Sequence, residues 1–131
     1  MNVKLRELFD TQLEAVLAEL PQQVHDLLDE VPLVVEDYPS REIMRRMRVR
    51  HRGDLCGLYT GIPLIHRSVE HWGTPSDVIH IYREGILSIS RRTDGTISLP
   101  RLRKQIRKTI LHELGHHHGL TERELRELGY G

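Results

Sequence analysis

A chain of 131 residues is long enough to bury one core and too short for two ordinary domains. Nineteen basic and nineteen acidic residues cancel, so no global field selects nucleic acid or an anionic membrane as partner. The single cysteine, Cys56, excludes an internal disulfide and suits a reducing compartment, and no apolar run is long enough to span a bilayer.

The first residues, MNVKLRELFDTQLEAVLAELP, interrupt their leucines with acids and so lack the apolar core of a signal peptide. The expectation is one soluble domain over residues 1–131, intracellular and cytoplasmic, with no pro-segment. Leu5, Leu8, Phe9, Leu13, Val16, Leu17 and Leu20 recur at helical spacing and predict an amphipathic first helix that Pro21 ends. QQVHDLLDE reads as a second, short helix. PLVVED, β-branched and bounded by Pro32 and Pro39, reads as a short buried strand.

Residues 40–52 fit either a helix or an exposed loop. GLYTGIPLIH reads as extended chain broken at Gly61, and Pro63 argues for a sheet edge. DVIHIYR alternates as a further strand. ILSISRRTDGTISL fits a hairpin turning at Asp94-Gly95 or a short helix followed by a loop.

From Pro100 the pattern is plain. Proline suits a first helical turn, and Leu102, Ile106, Ile110 and Leu114 follow at four-residue spacing. Gly119 supplies a left-handed helix stop, and Thr121 with Glu124 forms a capping box that starts a final helix, ERELREL.

Charge is uneven along this plan. Residues 1–38 hold nine acids against Lys4 and Arg6, whereas REIMRRMRVRHR carries six arginines and one acid. RLRKQIRK adds five more basic residues. The surrounding segments lack aromatic residues to stack on bases, so these runs read as solvated faces and nucleic acid is not the expected partner.

The long helix carries the chemistry. With about 100° per residue, His116 falls roughly 40° from His112 and about 6 Å further along the axis, so both imidazoles reach one ion. Leu102, Ile106 and Ile110 lie at roughly 80°, 120° and 160°, so the pair borders the apolar face rather than the opposite one, where Arg103, Lys104 and Arg107 gather. Glu113, about 100° round, is too far to share the ion in this register but close enough to face a water on it. That is the H-E-x-x-H arrangement: a zinc ion acidifies a water and the glutamate serves as general base.

A third ligand must come from beyond the helix. Gly119 lets the chain reverse, and Glu122 follows three residues later, which makes it the candidate, although an acid is also favoured there by the helix dipole. Glu124, His66, His71 and His80 are the alternatives. His117, about 140° from His112, reads as a packed core histidine, and His118 shields the helix end. Cys56 reads as a small buried residue.

PLVVED, DLCGLYTGIPLIHRS, VIHIYR and RKTILHELGHHHGLTERELRELGY, in that order from about Pro32 onward, resemble the small bacterial zincin-like metallopeptidases, the minimal MMP-like zinc peptidase family. The resemblance implies an α+β zincin-like domain in which a small twisted mixed sheet packs on the active-site helix. It further implies a peptide or protein substrate laid along an edge strand, here LYTGIPL. His112 and His116 match the family's ligand positions and Glu113 its base. Two positions depart: Glu122 stands where the family commonly has aspartate, and His118 where an aromatic residue is usual. Larger metzincins add a lower subdomain and a methionine turn after the third ligand. Here nine residues follow Glu122, all three methionines precede the motif, and Tyr130 is expected to dock the C-terminus.

The expected function is zinc-dependent peptide-bond hydrolysis. The alternatives are a metal-binding, catalytically weak domain that recognises peptides or proteins, and a metal-dependent ribonuclease. RNA endonucleases with the same histidine spacing use a third histidine and lack a glutamate directly after the first, so Glu113 favours peptide hydrolysis.

Overall fold

In a computed structural model the structure describes residues 1–61, 77–119 and 121–127. Helix α1, Val3–Glu19, starts where the Asn2 side chain accepts hydrogen bonds from the backbone amides of Lys4 and Leu5, and it ends just before Pro21. Helix α2 is Gln22–Glu30, and strand β1 is Leu33–Glu36. The ambiguous segment after it is helical at Arg41–Arg46 (α3), capped by Ser40, and ends in a 3-10 turn at Arg52–Asp54.

Strand β2, Gly57–Thr60, and strand β3, Val78–Tyr82, complete a mixed sheet of order β1-β3-β2. β3 runs parallel to β1 (Leu33↔Ile79, Glu36↔Tyr82) and antiparallel to β2 (Gly57↔Ile81, Thr60↔Val78). The architecture is α+β, as the sequence predicts. β1, however, is not a buried strand. It lies at an edge of the described sheet, with Val34 exposed and its neighbours half-buried, because only β3 has a hydrogen-bonded strand on each side.

Helix α4, Arg83–Ile89, follows β3 without a loop, and a tight turn at Asp94-Gly95 is then closed by a bridge between Arg91 and Ile97. ILSISRRTDGTISL therefore combines its two readings, helix first and narrow turn second. Helix α5, Leu99–His117, is capped by Ser98 with Pro100 in its first turn. Helix α6 is Glu122–Glu127, entered through the Thr121–Glu124 capping box: the Glu124 amide donates to Thr121 Oγ1, and the Glu124 carboxylate accepts from the Thr121 hydroxyl at 3.1 Å.

The core lies between one sheet face and the helices α1 and α5. Ile79 and Ile81 project from that face and meet Phe9, Leu13 and Val16 of α1 and Leu102, Ile106 and Ile110 of α5. Each such fully buried aliphatic side chain contributes roughly 1.5–3 kcal/mol. No described helix is long and apolar enough to cross a membrane.

An ion-pair network fastens α1 to the end of the sheet. Asp37 accepts from Arg6 Nη2 at 2.7 Å and Arg83 Nη1 at 2.9 Å, while Arg83 also pairs with Asp10. The hydrogen bonds from Arg6 and Arg83 hold the Asp37 carboxyl below its ordinary range, so its stabilisation is present at neutral pH and is lost as pH falls through the lowered value. Asp37→Asn is expected to lower stability by about 1–2 kcal/mol at pH 7. Urea unfolding at pH 7 and at successively lower pH checks this, because the gap to the unsubstituted protein narrows as pH falls below the ordinary carboxylate range.

Candidate metal centre

The site begins with how closely α5 sits on β2. Gly57 lies on the helix-facing side of β2, opposite Ile81. A β-carbon there would stand 2.7 Å from Thr109 Cγ2 and 3.4 Å from Glu113 Cγ. Only glycine lets the helix come this near without displacement.

The register then determines what the strand offers. Tyr82 N donates to Cys56 O, so Leu58 and Thr60, two and four residues on, also belong to the bonded pairs. The backbone groups of Gly57 and Tyr59 therefore point away from β3. Tyr59 N–H meets α5 there, donating to Glu113 Oε1 at 2.9 Å. Glu113 is almost fully buried, and this bond fixes one oxygen of its carboxylate. The other, Oε2, lies 3.9 Å from His112 Nε2.

His112 and His116 occupy successive turns of α5, half-buried, with ring centroids 4.8 Å apart. Their Nε2 atoms approach to 3.1 Å. Two nitrogens on one tetrahedral zinc at ~2.0–2.1 Å stand about 3.3 Å apart, so the pair fits such an ion. One donor atom from each of His112, Glu113 and His116 falls within a 4.8 Å group. The fit is chemical as well as geometric, since imidazole is a zinc donor and the Glu113 carboxylate stands next to the pair.

His117, the last residue of α5, is 3% exposed. Its Nδ1 lies 2.7 Å from Asp77 Oδ2, a close contact between the last turn of α5 and the residue before β3. The Tyr59 ring meets His117 edge-on at 5.7 Å. Tyr59 thus touches the helix twice, by its amide at Glu113 and by its ring at His117. Beyond the helix, Gly119 adopts φ 81°, the left-handed stop expected of it.

The other candidates separate cleanly. His80 points from the sheet face opposite Ile79 and Ile81, pairs with Glu36 at 2.7 Å, and stacks on Tyr82, so the sheet stands between it and α5. Glu124 is engaged in the cap. His66, His71 and Tyr130 lie outside the described residues. Glu122 is the first residue of α6, and its side chain also lies outside them. Sequence reasoning missed Tyr59, whose contribution is a backbone amide, and Asp77, which carries no spacing signal relative to His117.

A 330 Å³ cleft opens between β2 and α5, with Asp54, Cys56 and Gly57 on one side and Lys108, Thr109, His112 and Glu113 on the other. Cys56 is thus cleft lining rather than fully buried core. Burial, with the Glu113 charge second, pushes its thiol up to about 11, so it is protonated and unreactive at neutral pH.

This α+β fold places a histidine pair and an intervening glutamate together on one helix beside an edge of the described sheet, a candidate metal site of the H-E-x-x-H type. The chain belongs to the zincin-like metallopeptidase family, whose sequence profile matches residues 28–131. No curated protein matched the chain. α1 lies outside the matched range, yet supplies Phe9, Leu13 and Val16 to the same core.

Gly57→Ala is expected to cost about 1–3 kcal/mol by forcing the strand and helix apart. Adding Thr109→Ser, which removes the clashing methyl, restores part of that loss in a double-mutant cycle read by denaturant unfolding. Cys56 alkylation by iodoacetamide is expected to be slow at pH 7 and to rise with pH towards a midpoint near 11, as measured by mass spectrometry of the folded protein.

Proposed function

We propose that this protein is a zinc-dependent peptidase in which His112, His116 and Glu122 hold the metal and Glu113 is the general base. The observation that carries the reading is the division of the Glu113 carboxylate, with Oε1 held by the Tyr59 amide and Oε2 turned towards converging histidine nitrogens. A glutamate so anchored is poised beside the ion rather than wrapped around it. Zinc bound at the histidines supplies a Lewis acid that acidifies a water and polarises a carbonyl.

The chain's own residues do the rest. Glu113 Oε2 takes a proton from the attacking water and passes it to the leaving amine. The Tyr59 amide keeps the carboxylate from rotating away during that exchange. The outward carbonyls of Gly57 and Tyr59 lie on the edge of β2 beside the donors, where an extended peptide can donate to them while Glu113 keeps the Tyr59 amide. The Asp77–His117 pair anchors the end of α5, so that His116 keeps its place when substrate arrives. Glu122 is assigned as third donor because the Gly119 turn precedes it and its carboxylate is a zinc ligand type. The matched range and the shared α1–α5 core support one working domain over residues 1–131, and free Cys56 supports a cytoplasmic setting.

Metal content and cleavage of a peptide library, with structured RNA in parallel, test this together. His112→Ala is expected to lose zinc. Glu113→Gln is expected to keep zinc and lose peptide cleavage by a factor of about 100 to 10,000. Glu122→Ala with undiminished zinc affinity would place the third donor elsewhere, and RNA cleavage that survives Glu113→Gln would overturn the peptidase reading.

A further inference from the structure

A 580 Å³ groove lies away from the histidines, between α1 and α5. Val16 and Leu20 of α1 and Leu111 of α5 give it apolar surface, and Arg103, Lys104, Arg107 and Lys108 line it with positive charge. Glu19 is the one acid in that lining among the described residues. Among the described residues none of the four cations forms an ion pair; Arg103 instead donates to the neutral Gln12 side chain at 2.9 Å. Lys104 and Arg107 are exposed, and Arg103 and Lys108 half-buried. Four cations within six residues repel one another unless a partner brings negative charge.

The groove connects to the candidate metal centre through one residue. Lys108 lines both this groove and the cleft that holds His112 and Glu113. Lys104, Lys108 and His112 follow at four-residue spacing, forming a single strip down α5. The strip is about 12 Å long, the reach of roughly four extended residues. A chain lying in the groove would therefore pass Lys108 and enter the cleft.

We propose that the groove between α1 and α5 is an exosite that receives an acidic, partly apolar stretch of the protein substrate, a few residues away from the bond that is cut. This rests on the peptidase reading above and adds a substrate class to it. The apolar surface is what separates a protein segment from nucleic acid. A phosphate backbone gains nothing from Val16, Leu20 and Leu111, and among the described residues no aromatic ring lines the groove to stack a base. Leucine-like side chains fill that surface while flanking carboxylates reach Arg103, Lys104 and Arg107.

Binding is measured by fluorescence anisotropy on zinc-loaded, full-length Glu113→Gln protein, so that nothing is cleaved. The probe is a labelled 16-residue peptide of alternating Glu and Leu blocks. Controls are the same peptide with Lys for Glu, and an oligouridylate of matched charge. The Glu-Leu peptide is expected to bind, to weaken as salt rises, and to lose about tenfold in affinity when Lys104→Glu and Arg107→Glu are combined. Lys104→Gln with Arg107→Gln gives a smaller loss and serves if the reversal unfolds α5, as read by circular dichroism.

Equal affinity with and without these substitutions overturns the exosite, as does tighter binding of the oligouridylate. Self-association abolished by the same substitutions also overturns it, assigning the groove to a second copy. Failure of the peptidase reading looks different: the Glu-Leu peptide still binds, but unsubstituted protein cleaves no peptide. Cleavage indifferent to acidic flanks in a quenched peptide series overturns the exosite and leaves the peptidase standing.

Discussion

The close seating of α5 on β2 is the constraint from which the site follows. It exists because residue 57 has no side chain, which lets Thr109 and Glu113 approach a backbone that would otherwise hold them off. Once the helix is that near, an outward amide of the strand and a buried carboxylate of the helix satisfy each other. Neither would be acceptable alone, since a buried carboxylate without a donor and a covered amide without an acceptor both carry a desolvation cost. Their bond therefore fixes the rotational phase of α5, and with it the direction in which His112 and His116 present their nitrogens.

The helix is also held at its far end and along its back. The Asp77–His117 pair ties its last turn to the start of β3, and the row Leu102, Ile106, Ile110 seals it against the sheet and α1. Polar groups thus set the position at the chemical end, and apolar burial sets it at the other. Such a division suits a helix that must be rigid where it carries donors. The Arg6–Asp37–Arg83–Asp10 network does for α1 what the Tyr59–Glu113 bond does for α5, fastening a helix to the sheet by charge-assisted hydrogen bonds.

Much of this was legible in the residues. Helical spacing from Leu5 to Leu20 and from Leu102 to Leu114, the Gly119 stop and the Thr121–Glu124 cap are local signals, and local geometry decides them. The same phase arithmetic put His112 and His116 side by side, with Glu113 turned off from them, and sent His117 inward. What was not legible depends on contacts distant in sequence. Whether PLVVED is a central or an edge strand is decided by which strands pair with it, and β3 takes the middle. His80 stood as a ligand alternative only until the pleat of β3 assigned it to the other face. The Tyr59 amide and Asp77 were invisible for a similar reason: a backbone donor has no letter of its own, and an aspartate forty residues from its histidine has no period.

The hydrogen bond between Tyr59 and Glu113 also covers a backbone donor on a strand edge. An uncovered sheet edge can pair with the edge of another molecule, and long ones seed aggregation. Both edge strands of the described sheet are four residues long, and on β2 an outward amide is already covered by a carboxylate from its own helix. A second chain that tried to zip along β2 would meet that carboxylate where it needs a donor. Among the described residues, β2 therefore offers an incoming chain its acceptors but not the Tyr59 donor.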